Sequence, residues 1–415
     1  MKICMNLHRN IFKKILLNFI ILWYDIEVNK KSGFIRFLQK TISKGFTMKI
    51  IQNDLGEKKP SYPIERLANP EDILFLDIET TGFTAKSSNL YLIGCAYYKE
   101  EKWHTIQWLA ENYDEELSVL QAFLEFCLNY NFLIHFNGNR FDIPYLQQKC
   151  DIYEIPFLFE VYQGVDLYKR IKPYRSFLKM TDCKQKTVEQ FLGLQREDIY
   201  SGAELINQYH DYVCSHNEEL EKVILLHNQE DVAGMLDLLS VLAYTDLFNL
   251  PVRVMKVQAN YYNDYENKKR QELVLNLRFV TPLPVPVSNA NAGCYFTANA
   301  IDGVLKIPLY EEEMKYFYSN YKDYYYLPEE DIAIHKSVAT FVDKDHREQA
   351  AAGNCYTRKY STFLPQWELL FTPFYKRSYK DKEFFFELTD EFKTSRASFN
   401  KYAEHILQTL LMNEM

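Results

Sequence analysis

The stretch LFLDIETTGF, residues 74–83, constrains this chain more than any other. Leu74, Phe75, Leu76 and Ile78 read as a strand buried in a core, yet Asp77 and Glu79 interrupt it two positions apart. Side chains at i and i+2 of a strand point to one face, so the two carboxylates lie side by side. Such charges repel each other, and each is costly to withdraw from water. A divalent cation removes both penalties. Magnesium and manganese prefer hard oxygen donors and suit an Asp/Glu pair whose shell is completed by water or phosphate. A strand that simply ends at solvent shows the same pattern, so the pair gains meaning only from acids elsewhere in the chain.

From 72 to 136 the pattern predicts strand, strand, strand, helix, strand. LYLIGCAYY and WHTIQWLA flank the polar turn Lys99-Glu100-Glu101-Lys102 and read as a hairpin. YDEELSVLQAFLEFCLNY has helical apolar spacing with acids in its first turn, and FLIHF returns as a strand. DIPYLQQKC, KTVEQFLGL, SGAELINQYHDYV and the long segment 217–244 read as helices. A hairpin followed by a crossover helix and a further strand gives a mixed β-sheet flanked by helices, an α/β domain. Near Leu250-Pro251 the composition turns tyrosine-rich, and a β-rich (α+β) domain is expected beyond it. There Asp302-Gly303 predicts a hairpin turn inside CYFTANAIDGVLKIPLY, and TPLPVPVS predicts an extended sheet-edge segment. IAIHKSVATFV and FFFEL read as strands, and SFNKYAEHILQTLL as a closing helix.

The expected organisation is therefore an extension over 1–47, an α/β domain over 48–250 and a tyrosine-rich hairpin domain over 251–415. The apolar stretch KKILLNFIILWYD is too short to span a bilayer and is followed by no small-residue cleavage site, so no membrane partner is expected. It is read as part of an upstream extension whose natural start is Met48, without bearing on function. With 47% hydrophobic and 25% charged residues, the 415-residue chain suits a soluble protein of two or three domains. Its net charge of -8 excludes a global positive field, so a nucleic acid would have to be held by a local patch. None of the eight cysteines forms a Cys-x-x-Cys pair, which argues for reduced thiols in the cytoplasm and against a zinc site.

Two further acids join the first pair. Asp142, in HFNGNRFDIPYL, falls just past the carboxyl end of the next parallel strand, the edge where open α/β sheets bind ligands. It also suits an N-cap, since Ile143-Pro144 begin a helix. Asp231, in LLHNQEDVAGML, interrupts the apolar face of a late helix, where an exposed helix acid is the plainer reading. In this order and spacing, DIETTG, NGNRFD and HNQED resemble the three motifs of the DEDD exonuclease superfamily of ribonuclease H-like fold, closest to the YprB-like ribonuclease H-like family, over about residues 70–245. The resemblance implies that Asp77, Glu79, Asp142 and Asp231 hold two Mg2+ or Mn2+ ions, with Asn137 matching the asparagine ahead of the second motif. It further implies hydrolysis of phosphodiester bonds by a two-metal mechanism, with 3′-to-5′ polarity.

The general base departs from the family pattern. Members place a tyrosine four residues, or a histidine five, before the last aspartate, whereas here His227 lies four before Asp231. That spacing puts both on one helix face, and a histidine suits deprotonation of water; an outer-shell histidine is the other reading. For substrate, the basic run 168–186, with Lys169, Arg170 and Arg175 among Tyr168, Tyr174 and Phe177, could hold phosphates and stack bases or be a solvated face. Thr80 and Thr81 shape the strand end and approach substrate, while Asp166 reads as a loop acid or an aid to the metal site. The C-terminal tyrosines read as cross-strand packing rather than a nucleic-acid platform. The expectation is a metal-dependent exonuclease on single-stranded DNA or RNA. An endonuclease of the same fold and a non-catalytic nucleic-acid-binding scaffold are the alternatives.

Overall fold

A computed structural model describes residues 48–264 and 266–412. The extension 1–47, with its apolar stretch, lies outside the described residues. The chain divides into two compact units, Met1–Pro173 with Met180–Leu242, and Tyr174–Lys179 with Ala243–Met415. The second unit takes six residues from within the first because of their aromatics. Tyr174 stacks on Phe248 at 5.2 Å, and Phe177 meets Phe248 edge-on at 5.0 Å. Among the described residues no helix is long and apolar enough to cross a membrane.

The first unit is built on a six-stranded mixed sheet in the order β1-β4-β3-β2-β5-β6. Its strands are β1 (Lys49–Gly56), β2 (Ile73–Thr80), β3 (Leu90–Lys99), β4 (Lys102–Leu109), β5 (Phe132–His135) and β6 (Gln163–Asp166). β2 is central, antiparallel to β3 and parallel to β5, and its Ile73, Leu74, Phe75 and Leu76 are wholly or almost wholly buried. Glu100 and Glu101, both at positive φ, close the β3–β4 hairpin expected from the sequence. Helix Glu116–Cys127 buries Val119, Leu120, Phe123 and Leu124 in a core that also holds Leu92, Ile106 and Trp108. Each such side chain contributes roughly 1.5–3 kcal/mol by leaving water. This is the ribonuclease H-like arrangement, a mixed sheet flanked by helices. The sequence pattern missed β1, whose burial alternates without ever being complete, and β6, four residues that include a glycine.

The second unit is β-rich, with a six-stranded sheet in which β7 (Arg253–Asn263) pairs with β8 (Lys269–Asn291), β8 with β9 (Cys294–Phe317), and β9 with the strand Tyr356–Gln366, followed outward by Phe384–Glu387 and Phe374–Tyr375. Here two expectations need correction. Asp302-Gly303 is not a turn. It lies within one long strand, β9 (Cys294–Phe317), opposite Arg278 and Leu277 of β8 (Lys269–Asn291). Gly303 is required there because the Phe279 ring occupies the space of a side chain, 2.7 Å from where a Cβ would stand. Asp302 pairs with Arg278 at 2.9 Å. The chain turns instead at Ala292-Gly293, both at positive φ, as a tight hairpin demands. The segment 332–342 is also not one strand: after Ile332–His335 it becomes the short helix Lys336–Ala339, capped by the His335 side chain. TPLPVPVS runs within β8 beyond the span paired to β7, so its prolines meet no partner on that side.

A buried ion pair in the first unit fixes the helix Asp142–Ile152. Lys149 Nζ lies 2.5 Å from Glu116 Oε1, both side chains 5% exposed, and donates to the Ser88 carbonyl at 2.7 Å. The Glu116 carboxylate also accepts the Leu90 amide and the Tyr153 hydroxyl, each at 2.6 Å. Two helices and the start of β3 thus meet at one charge. Removing one partner of a buried pair strands the other. Lys149→Met is expected to cost about 3–5 kcal/mol in urea denaturation, and Lys149→Met with Glu116→Leu to recover much of that loss.

Candidate active site

Asp77 and Glu79 stand on one face of β2, opposite Gly94 and Leu92 of β3. Helix Glu218–Leu238 lies over this face and carries His227, Asn228 and Asp231. Its close approach depends on Gly94, since a Cβ there would stand 1.9 Å from Asn228 Oδ1. Asn228, wholly buried, donates to Asp77 Oδ2 at 2.8 Å and accepts from Gln107 Nε2 of β4 at 2.9 Å. Asp142, the first residue of its helix and buried, accepts the amide of Ile78, the residue between Asp77 and Glu79, at 3.2 Å. Acids from three separate elements therefore share one neighbourhood.

The electrostatics of the cluster are unfavourable as it stands. Burial, then the charges of Asp231, Glu79 and Asp142, hold the Asp77 carboxyl well above its usual pKa, although the Asn228 hydrogen bond opposes the shift. Burial, then Asp231, Asp142 and Asp198, do the same to Glu79. Burial pushes Asp142 up to about 7 against two backbone amides that lower it. Glu79, His227 and Asp231 offer one donor atom each within 4.8 Å of one another. Two carboxylate oxygens and an imidazole nitrogen so placed, beside two further carboxylates, form a donor set that fits a divalent cation.

Several residues here gave no sequence signal. Arg196 lies in the loop after Gly193, which ends helix Gln185–Leu192 in the left-handed conformation. Its Nη1 contacts Asp231 Oδ1 at 2.7 Å and Glu189 Oε2 at 3.0 Å. Asp198, in the same loop, accepts from His227 Nδ1 at 2.7 Å and from Lys186 Nζ at 2.9 Å. Burial pushes the Asp198 carboxyl up, but Lys186, His227 and the Tyr200 amide outweigh it and hold the group below its usual range. An Arg-Glu-Asp run in a loop is unremarkable by itself; only the fold carries it to the helix bearing Asp231.

The remaining sequence-predicted residues are placed as follows. Asp166 accepts the amides of Asn137 at 2.9 Å, Asn139 at 3.2 Å and Lys169 at 3.2 Å, so it shapes the loop ahead of Asp142 and caps the helix Leu167–Ile171. Asn137 sits at positive φ, with its Oδ1 buried and without a hydrogen-bond partner. Thr80 Oγ1 donates to the Gly82 carbonyl and Thr81 Oγ1 accepts the Asn89 amide, each at 2.8 Å, so both hydroxyls fasten the turn after β2. Lys169 and Arg170 are exposed on their helix, whereas Arg175 belongs to the second unit. Next to the turn, Phe83 is 89% exposed, and its ring meets Phe141 edge-on at 6.1 Å.

Residues 74–243 match the family model RNase_H_2, described as the RNase_H superfamily. The mixed six-stranded sheet flanked by helices in this segment is consistent with the ribonuclease H-like fold of that superfamily. A curated relative, the uncharacterized protein YprB of Bacillus subtilis (strain 168), is 26% identical over 174 residues, 41% of this chain and 41% of the relative. The match thus spans less than half of that relative's length. Among solved structures, the family B DNA polymerase of the archaeon Pyrobaculum calidifontis aligns at a TM-score of 0.34 and 12% identity, over 69% of this chain and 41% of the polymerase. E. coli Exonuclease I in complex with a dT13 oligonucleotide aligns at 0.25 and 10%, over 51% and 55%.

The Gly94–Asn228 contact is testable by itself. Gly94→Ala is expected to displace Asn228, break its bonds to Asp77 and Gln107, and cost about 1–3 kcal/mol, read as a lowered Tm of the first unit.

Proposed function

We propose that the first unit is a metal-dependent nuclease that hydrolyses phosphodiester bonds of single-stranded DNA or RNA from the 3′ end. The observation that carries this reading is the convergence of Asp77, Glu79, Asp142 and Asp231, three of them with carboxyls raised by burial and mutual repulsion. Arg196 supplies one positive charge at Asp231, too little for four acids. Asp77, Glu79, Asp142 and Asp231 would hold two Mg2+ or Mn2+ ions, whose chemistry at such a site is to acidify an attacking water and to offset charge on the leaving oxygen.

The protein's own part is positioning. Asn228 fixes the rotamer of Asp77, and the Ile78 amide holds Asp142 against β2. Phe83, in the turn after β2, offers an exposed ring on which a terminal base would stack, with Phe141, the residue before Asp142, behind it. Lys169 and Arg170 supply exposed charge for phosphates. The 3′-to-5′ polarity rests on the motif resemblance alone. The scatter of the eight cysteines along the sequence, with no Cys-x-x-Cys pair, is in keeping with a cytoplasmic protein.

The test is release of mononucleotides from a 5′-labelled single strand with manganese. Asp77→Ala is expected to lower the rate at least about a hundredfold. Equal activity in wild type and variant would contradict the assignment, and cutting of a closed circle would replace the exonuclease with an endonuclease. Phe83→Ala is expected to weaken substrate binding by about 5- to 150-fold, the equivalent of about 1–3 kcal/mol of base stacking, with the larger effect on KM than on kcat.

A further inference from the structure

We propose that His227 is a direct ligand of the cation held between Glu79 and Asp231, oriented by Asp198, and that its nitrogen makes this site select a first-row transition dication over Mg2+. The inference rests on the divalent-cation reading given above and replaces the water-deprotonating role expected from the sequence. His227 is 6% exposed, and both its ring nitrogens face carboxylates. Nδ1 lies 2.7 Å from Asp198 Oδ2, an ionised acceptor, so the Nδ1 proton is committed there. Nε2 then turns its lone pair toward Asp231 Oδ2 at 3.2 Å and Glu79 Oε1 at 3.5 Å. A divalent cation set between these three atoms would be bound by all of them at once.

The separations suit a metal ion. Ligands about 2.1 Å from one ion stand about 3.0 Å apart across an octahedral edge and about 3.4 Å across a tetrahedral one. Asp231 divides its oxygens, Oδ1 to Arg196 at 2.7 Å and Oδ2 toward His227, so the guanidinium leaves the ligating atom uncovered. Asp198 is fully engaged. Its side chain is 1% exposed, with Oδ2 on His227 and Lys186 and Oδ1 on the Tyr200 amide at 3.0 Å. A carboxylate behind a histidine that faces a metal fixes the ring and raises its basicity as a ligand. Mg2+ prefers an all-oxygen shell, whereas imidazole suits the transition ions, so a nitrogen in this shell shifts the preference.

The experiment titrates the full chain with Mn2+ and with Mg2+ by calorimetry, and records pulsed electron paramagnetic resonance of the Mn2+-loaded protein for the 14N of a bound imidazole. The expected result is a directly coupled nitrogen in wild type that is lost in His227→Gln. Mn2+ affinity should fall at least about tenfold in His227→Gln and in His227→Ala, and about tenfold in Asp198→Asn, with Mg2+ affinity changing less than about threefold in each. Mn2+ bound to wild type without nitrogen coupling overturns the inference, and that measurement needs no variant to fold. Unchanged Mn2+ affinity in His227→Gln overturns it too. Either outcome leaves the cation reading intact and returns His227 to the role of base. If wild type binds neither ion, both readings fall.

Discussion

Repulsion among crowded, largely buried carboxylates is the constraint around which the first unit is arranged. Asp77, Glu79, Asp142 and Asp231 come from a strand, the start of one helix and the middle of another, and each raises the cost of ionising its neighbours. A folded chain tolerates such a cluster where positive charge compensates it or where protons neutralise it. Arg196 provides part of that charge, and its own pKa rises despite burial because Asp231 and Glu189 lie against it. A divalent cation would provide the rest.

The supporting structure serves to hold this unfavourable geometry still. Gln107 and Asn228, both wholly buried, form a polar bridge from β4 through the late helix to Asp77. Gly94 admits the bridge by having no side chain. At the other end, the Lys149–Glu116 pair locks the helix that begins with Asp142. Both devices place hydrogen-bonding groups in a core where an apolar packing would be cheaper, and both fix the position of an acid.

Much of this was legible in the sequence because the same residues carry chemistry and periodicity. The strand of Asp77 and the helix of Asp231 announce themselves by their apolar pattern, and an acid breaking that pattern stands out. Arg196 and Asp198 were hidden because a loop has no period, and their meaning lies in what the fold brings against them. Asn228 sits beside His227 inside a recognised motif, yet only the missing side chain of Gly94, a strand away, reveals why an amide is there. Asp302-Gly303 misled for the opposite reason. A dipeptide with strong local turn preference was overruled by the pairing of two long strands and by the Phe279 ring that fills the glycine's place. Local preference of about a kilocalorie yields to an extended ladder of hydrogen bonds.

The most direct measurement is anomalous X-ray scattering at the manganese edge from crystals soaked in Mn2+. Strong peaks bounded by the carboxylates of Asp77, Glu79, Asp142 and Asp231 are the expected result. Crystals that take up no manganese there, with the four acids protonated or paired only to protein groups, would contradict the view that these side chains converge to hold cations.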